Sequence, residues 1–316
     1  MSSVSTLRRP PGKGSPEMRD RQPWFDLHDD SCEQPDVSVL GLPYDGGVGF
    51  RAGAAAAPER LRQISRTSDP ITRRGRNLRG LRLRDFGDVE AMNDDGEPVA
   101  ARTYLDAARQ RLESLPGGGF VLSLGGDHSV SIPSLQAFAA RHGVEAGILW
   151  FDAHADLFET YDGNPDSHAC ALRRALTLSG ISPRRVVLLS TRSFSEEEAR
   201  FIEEEQVLCI TAAEWLQTSS KDVAARAAQH LEGAPAVYLS VDADGFDASC
   251  APGTGYPMPG GVGSEPFFAF MEEIFQRLPM RGMDITEVAP TLDSNDMTSF
   301  LAVQVVLEAL GAVKKT

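Results

Sequence analysis

The chain has 316 residues, 41% of them hydrophobic, and a formal net charge of −14 at neutral pH. That length holds one large α/β domain or two small ones, and no apolar run approaches the roughly 20 residues needed to cross a bilayer. The acidic balance argues against nonspecific binding to nucleic acid or anionic membranes and is compatible with a cationic substrate.

At the N-terminus, Arg8, Arg9, Lys13, Arg19 and Arg21 are interleaved with Pro10, Pro11, Pro16 and Pro23, without periodic apolar residues. Residues 1–34 are therefore expected to form a flexible tail. The prolines disfavour an amphipathic transit peptide, and no secretory h-region is visible. Four widely spaced cysteines, Cys32, Cys170, Cys209 and Cys250, form no CxxC pair, which fits reduced thiols in a cytoplasmic protein.

From Val37 onward, short apolar runs alternate with longer helical patterns. Strands are predicted at Val37–Leu42, Phe120–Leu124, Gly147–Asp152, Arg185–Ser190, Val207–Ile210, Ala236–Asp242 and Arg281–Ile285. Helices are predicted near Pro58–Ser65, Ala100–Ser114, Pro133–His142, Glu196–Glu205, Lys221–Glu232, Glu265–Leu278 and Thr298–Leu310. Continuous β-rich runs between helices imply a three-layer α/β/α fold around a mainly parallel sheet. No repeat or polar linker interrupts the pattern, so residues 35–316 are read as one domain. Gly117-Gly118-Gly119 lacks the Lys-Ser/Thr ending of a phosphate-binding loop and reads as a turn.

Ligands of open parallel sheets gather beyond the carboxyl ends of the strands. Polar clusters occur at four such ends: Gly125-Gly126-Asp127-His128, Asp152-Ala153-His154-Ala155-Asp156, Asp242-Ala243-Asp244 and Glu287. Along an extended segment, Asp152, His154 and Asp156 can point the same way. Buried carboxylates need a positive partner. Taken singly, each histidine is as well explained by a structural hydrogen bond. Taken with Asp152, Asp156, Asp242 and Asp244, His128 and His154 read as metal ligands. Oxygen-rich ligation with two imidazoles suits an ion such as manganese. Four carboxylates exceed the needs of one ion and suit a pair about 3.5–4 Å apart. Asp127, beside a ligand, can orient the site from outside. Ser129 has no base or orienting acid specified for a serine nucleophile.

These motifs, with Ser240-Val241 before Asp242, resemble those of the ureohydrolases, the family of arginase, agmatinase and guanidinobutyrase. The resemblance extends from Gly41-Leu42-Pro43-Tyr44-Asp45-Gly46-Gly47 to Gly282-Met283-Asp284-Ile285-Thr286-Glu287-Val288. It implies an arginase-like fold, two Mn2+ ions and hydrolysis of a guanidino compound to urea and an amine. It also implies that His128, Asp152, Asp156 and Asp242 hold one ion and Asp152, His154, Asp242 and Asp244 the other. Glu287 would receive the guanidinium, His168 would pass a proton to the departing amine, and Asp156 would take a proton from water. Trimers or hexamers are implied in the same way.

The chain departs from the family pattern at Ala169, Cys170 and Ala248, which leaves the substrate open. Ala251-Pro252-Gly253-Thr254-Gly255 and Ala289 lean towards agmatinases. The loop from Leu157 to Ser167, with Glu159, Tyr161, Asp162, Asn164 and Asp166, is expected to line the substrate tail. An acidic, aromatic loop suits the amine of agmatine, whereas a carboxylate tail calls for an arginine or hydroxyl and amide donors. Agmatine is the expected substrate, with guanidinobutyrate or another guanidino acid as the alternative. Two other classes compete: a metal-dependent deacetylase or other amide hydrolase on a related fold, and an inactive metal-stabilised protein that binds guanidines or polyamines. The complete ligand set disfavours the first, and the pairing of His168 with Glu287 the second.

Overall fold

Runs such as Gly147–Phe151 and Val237–Asp242 are buried along their whole length, so they cannot lie on a sheet with a wet face. The computed structural model describes residues 21–92 and 99–314. Among these, eight strands form one sheet: β1 (Val37–Leu42), β2 (Leu83–Asp88), β3 (Phe120–Gly125), β4 (Gly147–Phe151), β5 (Val186–Thr191), β6 (Leu208–Thr211), β7 (Val237–Asp242) and β8 (Met280–Thr286). Their order is β2-β1-β3-β8-β7-β4-β5-β6, and every pairing is parallel.

Alternate residues of each strand feed two separate cores. Leu122, Leu149, Phe151, Leu239 and Met283 pack on one face against Leu61, Val223, Phe267 and Val306 of helices Ala57–Ser65, Ser220–His230, Ser264–Arg277 and Met297–Val313. Leu40, Ile148, Trp150 and Tyr238 pack on the other against Leu105, Leu135 and Leu172 of helices Ala101–Glu113, Ser131–His142 and Ala171–Ser179. The result is the expected three layers. No helix among the described residues is long and apolar enough to cross a membrane.

The strand order carries the functional consequence. β3 and β4 are consecutive in the chain, yet β8 and β7 lie between them. The four central strands are therefore those whose carboxyl ends bear Asp127–His128, Glu287, Asp242–Asp244 and Asp152–Asp156.

Some elements escape the apolar pattern. In β2 only Leu83 is buried, because this edge strand pairs on one side alone. Helix Ala171–Ser179 buries Ala171, Leu172, Ala175 and Leu176 and stops at the left-handed Gly180, φ 76°. Both signals stand in the sequence, but the helix is short and carries Arg173 and Arg174 on its open face.

Residues 1–20 of the expected tail lie outside the described residues, whereas residues 21–34 contradict the expectation. Trp24 and Phe25 are fully buried in the core. Trp24, Phe25 and Asp26 all adopt left-handed backbone, with φ between 60° and 63°, which costs roughly 1–2 kcal/mol per residue. Hydrogen bonds and burial hold the segment there. Trp24 N–H donates to Ser65 Oγ at 2.8 Å, and its indole N–H to Asp85 Oδ2 at 2.6 Å. Asp85 is clamped in turn by the Arg62 guanidinium, at 2.7 and 2.9 Å. Two buried aromatics in a proline-rich basic stretch outweigh its composition. Trp24→Ala is expected to destabilise the protein by about 3–5 kcal/mol in denaturant unfolding; a loss within about 0.5 kcal/mol, as for a surface substitution, would restore the tail reading.

Candidate metal and active centre

β4 and β7 run side by side with Phe151 opposite Val241, so Asp152 and Asp242 leave the sheet as neighbours. On the far side of β8, β3 ends at Gly125 and the chain turns sharply through Gly126. A Cβ on Gly126 would collide with the backbone of Tyr44, so only glycine lets these loops close. The turn delivers His128 beneath the carboxylates. Asp127 does not join them. It accepts Gly47 N–H at 2.7 Å, Ser129 N–H at 2.9 Å and the Ser129 hydroxyl, and so fixes the loop that carries His128.

His128 is the centre of the cluster. Its ring stacks on Trp150, with centroids 4.0 Å apart, and its Nε2 lies 2.9 Å from Ser240 Oγ. Its buried Nδ1 lies 3.0 Å from Asp152 Oδ2, 3.1 Å from Asp156 Oδ2 and 3.0 Å from Asp242 Oδ2, with hydrogen-bond geometry to none of them. Donor atoms of His128, Asp152 and Asp242 thus face a common point, with an Asp156 oxygen beside the His128 nitrogen. A second group is formed by Asp152, His154 and Asp244, with His154 Nδ1 3.1 Å from Asp244 Oδ2 and 3.5 Å from Asp152 Oδ1. The donor set therefore fits two cations. Asp152 belongs to both groups. Asp242 lies in the first group, and its Oδ1 accepts Asp244 N–H at 2.7 Å, which ties it to the second.

The electrostatics agree. Burial pushes the Asp156 carboxyl up to about 7, with the charge of Asp152 adding to it. Burial and neighbouring aspartates also raise Asp242 and Asp244. Asp152 is the exception: burial would raise it, but His128 and His154 hold it down. Cations among the other carboxylates would remove their mutual repulsion. Backbone strain marks the same rim: Asp156 and Glu287 have φ of 52° and 57°, left-handed values that bend each chain abruptly as it leaves its strand.

Glu287 and His168 stand beside the cluster. Glu287 Oε1 accepts His128 N–H at 3.0 Å and lies 3.0 Å from His168 Nδ1. Its Oε2 has no hydrogen-bond partner among the described residues and faces Gly255, where a Cβ would sit 3.7 Å away. Gly49 N–H donates to His168 Nε2 at 3.0 Å, which requires a lone pair there and hence a neutral ring protonated on Nδ1. Burial lowers the His168 pKa, but the bond to Glu287 and nearby carboxylates override it and push it up to about 9. Proton delivery from this ring requires a second proton on Nε2, which the acidic surroundings favour.

These groups floor a cavity of about 260 Å³. Its outer wall contains Phe50, Phe158, Tyr161, Phe194 and Tyr256, together with Arg51, Ser193 and Glu198. Of the five residues expected to meet the substrate tail, Tyr161 alone lines the cavity. Glu159, Asp162 and Asn164 are exposed. Asp166 is paired with Arg174 at 2.9 Å. The loop spends its acids on solvent and on a neighbouring helix. Glu198 does reach the cavity, but its carboxylate accepts Leu157 N–H and Ser195 N–H. Phe50, Arg51, Phe194 and Ser193 carry no motif; their signal is only their place just after β1 and β5. Tyr256 lies in the Gly/Pro-rich loop after β7, whose composition does mark a shaped wall.

Comparison with known proteins agrees with this arrangement. The model of the arginase family matches residues 35–311. The agmatinase of Bacillus subtilis strain 168 is 33% identical over 286 residues, covering 89% of this chain and 93% of that protein. The guanidinobutyrase of Pseudomonas aeruginosa is 30% identical, covering 87% of this chain and 85% of that protein. The solved structure of proclavaminate amidino hydrolase from Streptomyces clavuligerus superposes with a TM-score of 0.84 at 30% identity, covering 95% of this chain and 99% of that one. Sheet order, strand-end ligands and full-length relatives agree, and the chain belongs to the arginase family as a ureohydrolase.

Proposed function

We propose that this protein hydrolyses agmatine to putrescine and urea with two manganese ions. One juxtaposition supports the reading. The unpartnered Oε2 of Glu287 and the imidazole of His168 flank two His/carboxylate groups, under a cavity whose outer wall is aromatic. His128, Asp152, Asp156 and Asp242 would hold one ion, and Asp152, His154, Asp242 and Asp244 the other. Such a pair supplies a water nucleophile of lowered pKa at neutral pH.

The chain's own groups do the rest. Glu287 Oε2 receives the guanidinium in a charge-assisted, directional bond and aims its carbon at the cluster. Asp156 takes up the proton that the nucleophile loses. His168 delivers a proton from Nε2 to the departing amine, whose expulsion requires it. The rings of Phe50, Tyr161, Phe194 and Tyr256 line the path of the terminal ammonium, and each cation–π contact it makes there would be worth about 0.5–1 kcal/mol at an exposed site. This aromatic wall takes the place of the acidic loop in the argument for a cationic tail.

One observation favours a guanidino acid instead. The Arg51 guanidinium lies 4.4 Å from the Phe50 ring centre and has no ion pair or hydrogen bond among the described residues. With the Ser193 hydroxyl it could receive a carboxylate. A urea-release screen over agmatine, guanidinobutyrate, guanidinopropionate and arginine separates the two. Agmatine is expected to give the highest kcat/KM, unchanged or raised by Arg51→Ala. If guanidinobutyrate ranks first and Arg51→Ala abolishes the preference, the guanidino-acid reading replaces it.

Two variants test the assigned roles. Asp152→Ala should leave the purified protein without its full metal complement and without activity; parental manganese content in that variant removes Asp152 from the ligand set. His168→Asn should lower kcat by about 10²-fold or more, the range for a positioned proton donor, with both ions retained. Undiminished turnover would end its role.

A further inference from the structure

We propose that Arg192 is a positioning residue for the metal centre, locking the loop of Asp244 against the loop of Asp152 and His154 and thereby setting the affinity of the ion they share. The inference rests on the metal reading above.

Arg192 follows β5, a strand that contributes no metal ligand. Its Nη2 donates to the carbonyls of Asp244 at 2.7 Å, Phe246 at 3.0 Å and Met258 at 2.8 Å. Its Nη1 donates to Gly245 O at 3.2 Å and Ser190 O at 3.0 Å, and its Nε to Pro259 O at 3.1 Å. Its own backbone N–H, with that of Ser193, donates to Ala153 O at 2.9 and 3.0 Å. Ala153 N–H in turn donates to Asp244 Oδ1 at 3.2 Å. The bonds close a circuit from Asp244 through Ala153 to Arg192 and back. Ala153 sits between Asp152 and His154, so every residue of the second metal group is on the circuit or next to it.

The turn is built for this contact. Ser190 is fully buried at φ 69°, and its hydroxyl donates to Gly245 O at 2.7 Å. A Cβ on Gly261 would lie 2.7 Å from Arg192 Nη2, so a glycine there lets the loop close over the guanidinium. Arg192 makes no ion pair among the described residues. Burial lowers its pKa, against the pull of Asp244, Asp152, Asp247 and Asp242. A planar fork satisfying several carbonyls at once is a property of arginine that lysine lacks.

The test compares the parent with Arg192→Lys, titrating Mn2+ into the metal-free proteins and measuring Tm with and without the ion. In Arg192→Lys, one of the two Mn2+ binding steps should lose about 10–100-fold in affinity, the range for outer partners of ligands. The rise in Tm on adding Mn2+ should shrink, while the metal-free Tm stays near the parent's. Parental Mn2+ affinity overturns the proposal. So does an equal fall in Tm with and without metal, or failure to recover folded Arg192→Lys, since either assigns the residue to folding alone. A parent that itself shows no Mn2+-dependent rise overturns the metal reading and this inference with it.

Discussion

The rest of this structure depends on the register between β4 and β7. Pairing Phe151 with Val241 sets Asp152 and Asp242 side by side at the edge of a dry sheet, with Asp244 and Asp156 one turn beyond. Each of these carboxylates is nearly inaccessible to water. Such a concentration of negative charge is untenable in a core unless cations share it. The neighbouring strands supply what the cluster lacks: His128 from β3, and Glu287 from β8, the carboxylate we propose for the guanidinium of the substrate.

Around that register the molecule invests in rigidity. Trp150 stacks on His128 and donates to Asp152 at 3.0 Å, so one side chain aligns two ligands. Backbone N–H groups of His154, Asp244 and Ala153 each bond to a carboxylate of the cluster, fixing its rotamer. Preorganisation of this kind lowers the cost of assembling the site on binding. Left-handed backbone at Asp156, Ser190 and Glu287 stores strain at the same rim, held in place by the buried strands below. The cavity wall is less constrained: Phe50, Phe194 and Tyr256 are exposed at the mouth.

Much of this was legible in the chain. Long apolar runs such as Val37–Leu42 and Val237–Asp242 announce buried parallel strands, because both faces must be apolar. The acidic clusters announce themselves because they end those runs. β2 and the helix Ala171–Ser179 were not legible, since an edge strand and a short helix bury too few residues to override their charged neighbours. Trp24 and Phe25 were hidden by the prolines and arginines around them, although burial of two aromatics decides their fate. Glu159, Asp162 and Asp166 misled because loop composition records charge without direction. In the folded chain those carboxylates turn to solvent or to Arg174, and aromatic rings face the cavity.

By itself, then, the sequence determined which residues are chemically unable to stand alone: His128, Asp152, His154, Asp156, Asp242 and Asp244, each at the end of a strand that must be buried. It also determined the layer architecture, through the two periodicities of apolar residues. Only the tertiary structure decided that β7 and β8 insert between β3 and β4, bringing together ligands separated by more than a hundred residues. It alone decided that Arg192, Arg51 and the aromatic wall meet the site. Side-chain type and local spacing are written along the chain, whereas strand order and the direction of a loop side chain depend on packing between distant segments.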